Sequence, residues 1–152
     1  MPEAEFIFIG PMHPDVASTI SRLRQKSNIH FLGMKVYQQI PSYLQWCNVC
    51  IIPFQRNELT MAVNPVKLYE YSAAGKQTVV TNFSDDLAPF AGTVYIAGSK
   101  EEFVANLCKA LERSADSSTV SSLKSFAREH DWNNKTSIII NLIEQHLSQA
   151  KN

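Results

Sequence analysis

The chain has 152 residues, enough for one domain with a real core, and its 45% hydrophobic and 18% charged content is that of an ordinary soluble globular protein. Its 14 basic and 14 acidic residues give a formal net charge of zero, and no lysine- or arginine-rich block stands out, which argues against nucleic-acid binding. No apolar run approaches the ~20 residues of a membrane span, the N-terminus has no signal-like pattern, and three cysteines are too few for a disulfide framework, so the chain reads as cytosolic.

Along the chain, Glu5 to Ile9 is a short apolar run ended by Gly10-Pro11, which predicts a strand leading into a loop. Asp15 is placed to cap a helix running to about Lys26, with Val16, Ile20 and Leu23 on one side. Ile29 to Leu32 reads as a second strand with Gly33 as its exit turn. Val36 to Gln45 reads as helical, with Pro41 setting a break or a helix start. Asn48 to Pro53 is a third strand, followed by a loop from Phe54 to Val63. Cys47 and Cys50 are spaced Cys-x-x-Cys, but strand residues three apart face opposite sides. No second cysteine pair or spaced histidine pair completes a metal site either, so neither redox nor metal chemistry is expected.

The stretch Val63-Asn64-Pro65-Val66-Lys67-Leu68-Tyr69-Glu70-Tyr71-Ser72-Ala73-Ala74-Gly75-Lys76 carries the most information. Asn64 is a favoured N-cap, Pro65 suits the first helical position, and Gly75 stops the helix. The amides of Val66 and Lys67 would then be free at a helix start, where the macrodipole favours negative charge. Lys67 adds a full positive charge there, and Glu70, three residues on, shares its face. The bland alternative is a surface ion pair on an ordinary helix. A fourth strand follows from Gln77 to Thr81. Asp85 and Asp86 open a turn or short helix before Pro89, where they are best read as caps, and Thr93 to Ala97 is a fifth strand. Ser99 caps a helix with Phe103, Leu107 and Leu111, and a shorter helical piece carries Leu123 and Phe126 and ends at Asp131-Trp132. A last helix, from about Asn134 to Gln149, presents Ile139, Leu142, Ile143 and Leu147 as a core-facing stripe. Strands alternating with helices predict an α/β fold: a mostly parallel sheet, Rossmann-like, with helices on both faces. Ligands bind such sheets beyond the carboxyl ends of the strands.

The run Pro65 to Lys76, with Asn28 to Gly33 and Ile40 to Phe54 ahead of it, resembles the donor-binding half of GT-B glycosyltransferases. The similarity extends from about Phe6 to about Ile143, and the Pro65-x-Lys67 variant is most similar to bacterial polysaccharide glycosyltransferases. The resemblance implies a single donor-binding domain over residues 1–152, the C-terminal half of GT-B, lacking the first strand–helix unit. It implies that Asn64, Val66 and Lys67 bind the diphosphate of a nucleotide sugar and that Glu70 takes the ribose hydroxyls. Met34, Lys35 and Val36 would contact the base, and Arg56 and Asn57 the sugar or a phosphate. No metal and no cofactor are implied beyond the nucleotide-sugar substrate. The partners implied are an acceptor domain or chain and, through it, peripheral contact with the inner face of a membrane. Many relatives carry a second glutamate where Ala62 stands here, which leaves retaining or inverting chemistry open and no catalytic residue named.

Three other functions compete for this pattern. A non-catalytic nucleotide-binding or regulatory module would share the architecture. A response-regulator domain would need an acidic pocket after an early strand, and those strands end in Gly10-Pro11-Met12 and Gly33-Met34. A Rossmann dehydrogenase would need Gly-x-Gly-x-x-Gly after a strand, and none is present.

Overall fold

The structure is a computed structural model and describes residues 1–149. These fall into two compact units that meet in sequence between Tyr43 and Leu44.

In the first unit, β1 (Phe6–Phe8) and β2 (Ile29–Phe31) pair in parallel, with Phe6 opposite Ile29 and Phe8 opposite Phe31. The last pair stacks its rings at 5.1 Å. The entry to β2 is held by Asn28, whose carboxamide donates to the carbonyls of Ala4 at 2.8 Å and Met1 at 3.2 Å. Between the strands, a 3-10 turn (Pro14–Val16) leads into α1 (Ala17–Leu23). Asp15 does not cap this helix as expected. It lies inside the 3-10 turn, and its carboxylate pairs with His13 at 3.1 Å instead. After β2, Gly33 takes φ +68, the left-handed exit that its lack of a Cβ permits. The predicted helix from Val36 divides into a 3-10 turn (Tyr37–Gln39) and α2 (Ile40–Leu44), with Pro41 in the first turn of α2, where a missing N–H is tolerated.

The second unit holds a three-stranded parallel sheet in the order β3 (Val49–Ile52), β4 (Gln77–Thr81), β5 (Tyr95–Ala97). The single sheet expected is thus two sheets among the described residues, both parallel and both accompanied by helices. Central β4 is buried from Gln77 to Val80, its two polar residues included, as befits a strand covered on both faces. Register places Ile52, Val80 and Ile96 side by side. Ile52 and Val80 form the core with Leu68 of α4 (Val66–Ala73), Phe83, Leu87, Phe90 and Val94, and Ile96 packs against it. Phe126 of α6 (Ser117–Glu129) packs against that cluster, and α4 and α6 lie against each other. The remaining helix of this layer system, α5 (Lys100–Glu112), contacts all three strands and buries Leu107 and Ala110. Ser99 caps α5 as expected, accepting from the Glu102 amide at 3.1 Å.

Several expectations give way here. The loop before α4 contains a short helix, α3 (Glu58–Met61), closed by a capping box in which the Asn57 side chain accepts from Thr60 N and the Thr60 hydroxyl from Asn57 N. Ser84, not either aspartate, caps the 3-10 turn Asp85–Phe90 by accepting from Asp86 N. α6 matches α5 at 13 residues instead of being shorter. Asp131 accepts from Asn134 N at 2.8 Å, so it opens the last helix, α7 (Trp132–Gln149), rather than only ending α6. The stripe on α7 is not core: Ile139, Leu142, Ile143 and Leu147 are each more than half exposed, and no α7 residue is buried. Periodicity identifies the apolar side of a helix but not whether another element covers it. No helix among the described residues is long and apolar enough to cross a membrane.

Candidate functional site

In a parallel β–helix–β unit the helix runs back against its strands, so α4 begins at the carboxyl edge of β3 and β4. The loops at that edge are tied together by side chains. Thr81, the last residue of β4, donates its hydroxyl to the carbonyl of Phe54, just past β3. Ser84 donates to the carbonyl of Met61 at the end of α3, at 2.9 Å. Arg56 pairs with Asp85 at 2.8 Å. Together these bonds fix the approach to α4 from both flanking strands.

The helix start differs from the expected one by a residue. Pro65 is the N-cap, with extended backbone and its ring buried, and its carbonyl accepts from Leu68 N at 3.0 Å. Asn64 is exposed, lies outside the helix and makes no side-chain cap. Proline at the cap costs no donor, so the role assigned to Asn64 falls to a backbone carbonyl. The amides of Val66 and Lys67 precede the first helical bond and are the ones a helix start leaves unpaired. Lys67 is exposed and makes no hydrogen bond or ion pair with any described residue. Glu70, one turn on, is half-buried and engaged with its surroundings.

The far end of α4 is tightly specified. Gly75 takes φ +71, Lys76 N donates to Tyr71 O at 2.9 Å and Gly75 N to Ser72 O at 2.8 Å, the paired bonds of a Schellman cap. Leu68 and Ser72, four apart, are completely buried. The helix that carries Lys67 and Glu70 is therefore anchored along its opposite side.

Arg56 and Asn57 lie on the loop after β3, in the same unit as α4, but both are engaged in the fold. Arg56 is held by Asp85, and the carboxamide oxygen of Asn57 is occupied by Thr60 N. Met34, Lys35 and Val36 belong to the first unit, in the turn after β2. Met34 and Val36 are exposed, and the Lys35 ammonium stands 5.8 Å over the Tyr43 ring. Also in the first unit, a cavity of about 350 Å³ opens beyond β1 and β2, lined by Gly10, Met12, His13, Ile20 and Gly33 among others.

Sequence reading missed Asp85 as the partner of Arg56 and Thr60 as the partner of Asn57. The second had a signal in the Asn57-x-x-Thr60 spacing; the first, 29 residues apart, had none. Among the described residues no cluster of histidine, cysteine, aspartate or glutamate is arranged to hold a metal ion. Cys47 precedes β3, so strand alternation does not apply to it. Burial pushes the Cys50 thiol up to about 12, and the nearby Cys47 thiol adds to the shift. Burial raises Cys47 too. Neither offers a thiolate at neutral pH.

Comparison with known proteins bears out the fold. Over 136 residues the chain is 28% identical to TuaH of Bacillus subtilis (strain 168), whose name assigns it to glycosyl transfer in teichuronic acid biosynthesis. The match covers 87% of this chain and 34% of TuaH, so the chain spans about a third of that relative's length. WaaG, a glycosyltransferase involved in lipopolysaccharide biosynthesis, superposes with a TM-score of 0.64 at 18% identity, over 84% of this chain and 34% of WaaG. Anabaena HepE, crystallised with UDP, superposes with a TM-score of 0.63 at 17% identity, over 98% of this chain and 42% of HepE. Residues 1–113 match the family described as glycosyl transferases group 1, and with three-quarters of its length inside that match the chain belongs to this family.

Proposed function

We propose that this chain binds a nucleotide-diphosphate sugar as the donor part of a glycosyltransferase that acts in polysaccharide biosynthesis, passing the sugar to a saccharide or lipid-linked acceptor. The observation that carries the reading is the start of α4. There an exposed, unpartnered lysine stands beside two helix-start amides, on a helix anchored by buried Leu68 and Ser72. In this reading Val66 and Lys67 hold the diphosphate. Glu70 accepts from the ribose hydroxyls. Arg56 and Asn57, engaged as they are, shape the loop that borders the sugar. The occurrence of UDP in the HepE crystal structure supports a uridine nucleotide as the first ligand to test.

The chemistry assigned to these residues is stabilisation of the departing diphosphate. Negative charge builds on the leaving group as the glycosidic bond breaks. Preorganised donors aimed at that charge lower the barrier without reorganising. Activation of the acceptor hydroxyl needs a base held in line with the sugar. No described residue is assigned that role, so these residues alone are proposed to bind the donor without turning it over. The acceptor site, and contact with the inner face of a membrane, are assigned to the rest of such an enzyme.

Calorimetric titration of UDP against uridine tests the phosphate role. UDP should bind more tightly, and Lys67→Ala should erase most of the difference, a loss of roughly tenfold or more for a charge-assisted contact. Glu70→Gln should remove the preference for ribose over 2′-deoxyribose nucleotide while leaving the fold intact. Equal affinity for uridine and UDP in the parent chain would end the donor-site assignment.

A further inference from the structure

A cavity of about 420 Å³ lies at the other edge of the three-stranded sheet. Its lining includes Gln77 and Tyr95, the first residues of β4 and β5, so it opens at the amino ends of the strands, opposite the edge where α4 begins. Across from them stand Arg113, which ends α5, and the first turns of α6, with Thr119 and Ser122. Val94 and Leu123, both buried, give it an apolar floor.

The polar groups of this cavity are unusually open. Gln77 is only 5% exposed, yet its carboxamide makes no hydrogen bond to any described residue. Its amide atoms still reach the surface, because Ser72 Oγ is the one buried side-chain polar atom left without a partner among the described residues, so two donors and an acceptor are open to whatever fills the cavity. The hydroxyls of Thr93 and Tyr95 likewise bond to no described residue. The cavity thus presents donors and acceptors of both kinds above an apolar base.

Its charge balance argues against an anion. Arg113 donates to the Thr119 hydroxyl at 3.3 Å, and Thr119 donates to the Asp116 carboxylate at 2.6 Å. Asp116 also receives Ser118 N at 3.2 Å and the Ser118 hydroxyl, so the start of α6 already has its negative charge. The hydrogen bonds from Thr119 and Ser118 hold this carboxyl down at about 2, fully ionised at neutral pH. The arginine is therefore balanced through Thr119, and no free helix-start charge remains.

We propose that this cavity is a second carbohydrate site, which takes a neutral mono- or disaccharide through Gln77, Thr93, Tyr95 and the remaining guanidinium donors of Arg113. A ring of alternating hydroxyls matches mixed donors and acceptors, and its C–H face suits the apolar floor. Because the cavity opens on the edge opposite α4, a sugar held there is not the one in transfer. It would anchor saccharide already built. The inference does not depend on donor binding at α4.

Isotope-labelled chain, titrated with glucose, galactose, N-acetylglucosamine and maltose and followed by NMR, tests it. At least one sugar should move the Gln77 side-chain amide and the Ser118 to Ser122 amides saturably, with UDP leaving that saturation unchanged. Gln77→Leu should weaken binding by about tenfold. Ser122→Phe, a change at an exposed position on the rim, should block the cavity and abolish binding without unfolding the chain, and it decides the matter if the Gln77 variant does not fold. Failure of all four sugars, or saturation of these resonances by inorganic phosphate instead, would overturn the proposal. Failure of UDP to move α4 resonances would count against the donor reading alone.

Discussion

Replacing Gly75 with alanine tests how α4 is held, and its cost can be built from two separate terms. The residue sits at φ +71, where an L side chain costs about 1–2 kcal/mol relative to glycine. The added Cβ would also stand 2.8 Å from Val120 Cγ1 and 3.2 Å from Lys124 Cε. The lysine end is flexible and can swing away. Val120 is β-branched, stiff at χ1, and carried by α6, which packs along α4. Overpacking of this kind costs about 1–3 kcal/mol. Alanine also restricts the unfolded chain and returns about 0.4–1 kcal/mol. The net loss should be about 1–4.5 kcal/mol, read from urea unfolding followed by far-ultraviolet circular dichroism. Val120→Ala, combined with Gly75→Ala, should relieve the steric part but not the backbone part, giving a coupling of about 1 kcal/mol or more. Strict additivity of the two changes, or a single-mutant loss below about 0.5 kcal/mol, would refute the close approach of α4 and α6.

Ser72 is completely buried and its hydroxyl has no partner, so Ser72→Ala should raise stability by about 1 kcal/mol in the same urea assay, since alanine removes an unpaired polar group and suits a helix better. Ile143→Asp should change the thermal midpoint little, within about 0.5 kcal/mol, because Ile143 is 53% exposed; a fall of many degrees would reveal a cover on α7. The Asp116 carboxyl titrates near 2 in the folded chain, below its ordinary 3.8, so the stability it contributes is present above that ordinary value and is lost as pH falls through about 2. Asp116→Asn should flatten the acid limb of the stability curve in that window, and an unchanged limb would show that the bonds from Thr119 and Ser118 do not favour the charged form.

What was legible in the sequence was whatever local chemistry decides. β4 is legible to the residue because the β-branched run Thr78-Val79-Val80-Thr81 comes soon after a glycine stop, and Gly75 itself takes the left-handed conformation its position demands. Ser99 was recoverable as a cap because acidic residues fill the turn after it. Asn64-Pro65 misled because both residues suit a helix start, and tertiary burial of the Pro65 ring chose the later register. The stripe on α7 was a true helical period, but burial depends on a partner that sequence spacing does not describe. The expected site residues divide the same way. Lys67 and Glu70 are placed by one helix and could be read together, whereas Arg56 is tied down by an aspartate 29 residues away. The cavity around Gln77 is gathered from four separate segments, so no motif announces it.

α4 joins the stability of the second unit to its proposed ligand chemistry. Its buried side carries Leu68 and Ser72 into the core, its end is locked by Gly75 against Val120, and its start is approached through the Ser84–Met61 bond. Lys67 and Glu70 ride on the outer part of that fixed helix, so their spacing is set by residues that never meet a ligand. Two kinds of damage should therefore separate cleanly. Gly75→Ala lowers the fraction folded while any molecule that remains folded keeps Lys67 and Glu70 in place. Its donor affinity, corrected for the folded fraction, should match the parent. Glu70→Gln should do the reverse, leaving the unfolding midpoint where it is and weakening the nucleotide by about tenfold. If instead the Gly75 variant lost affinity in proportion to nothing but its own strain, α4 would be a flexible element. The amides at its start would then be too poorly ordered to act as a preorganised cradle for a diphosphate.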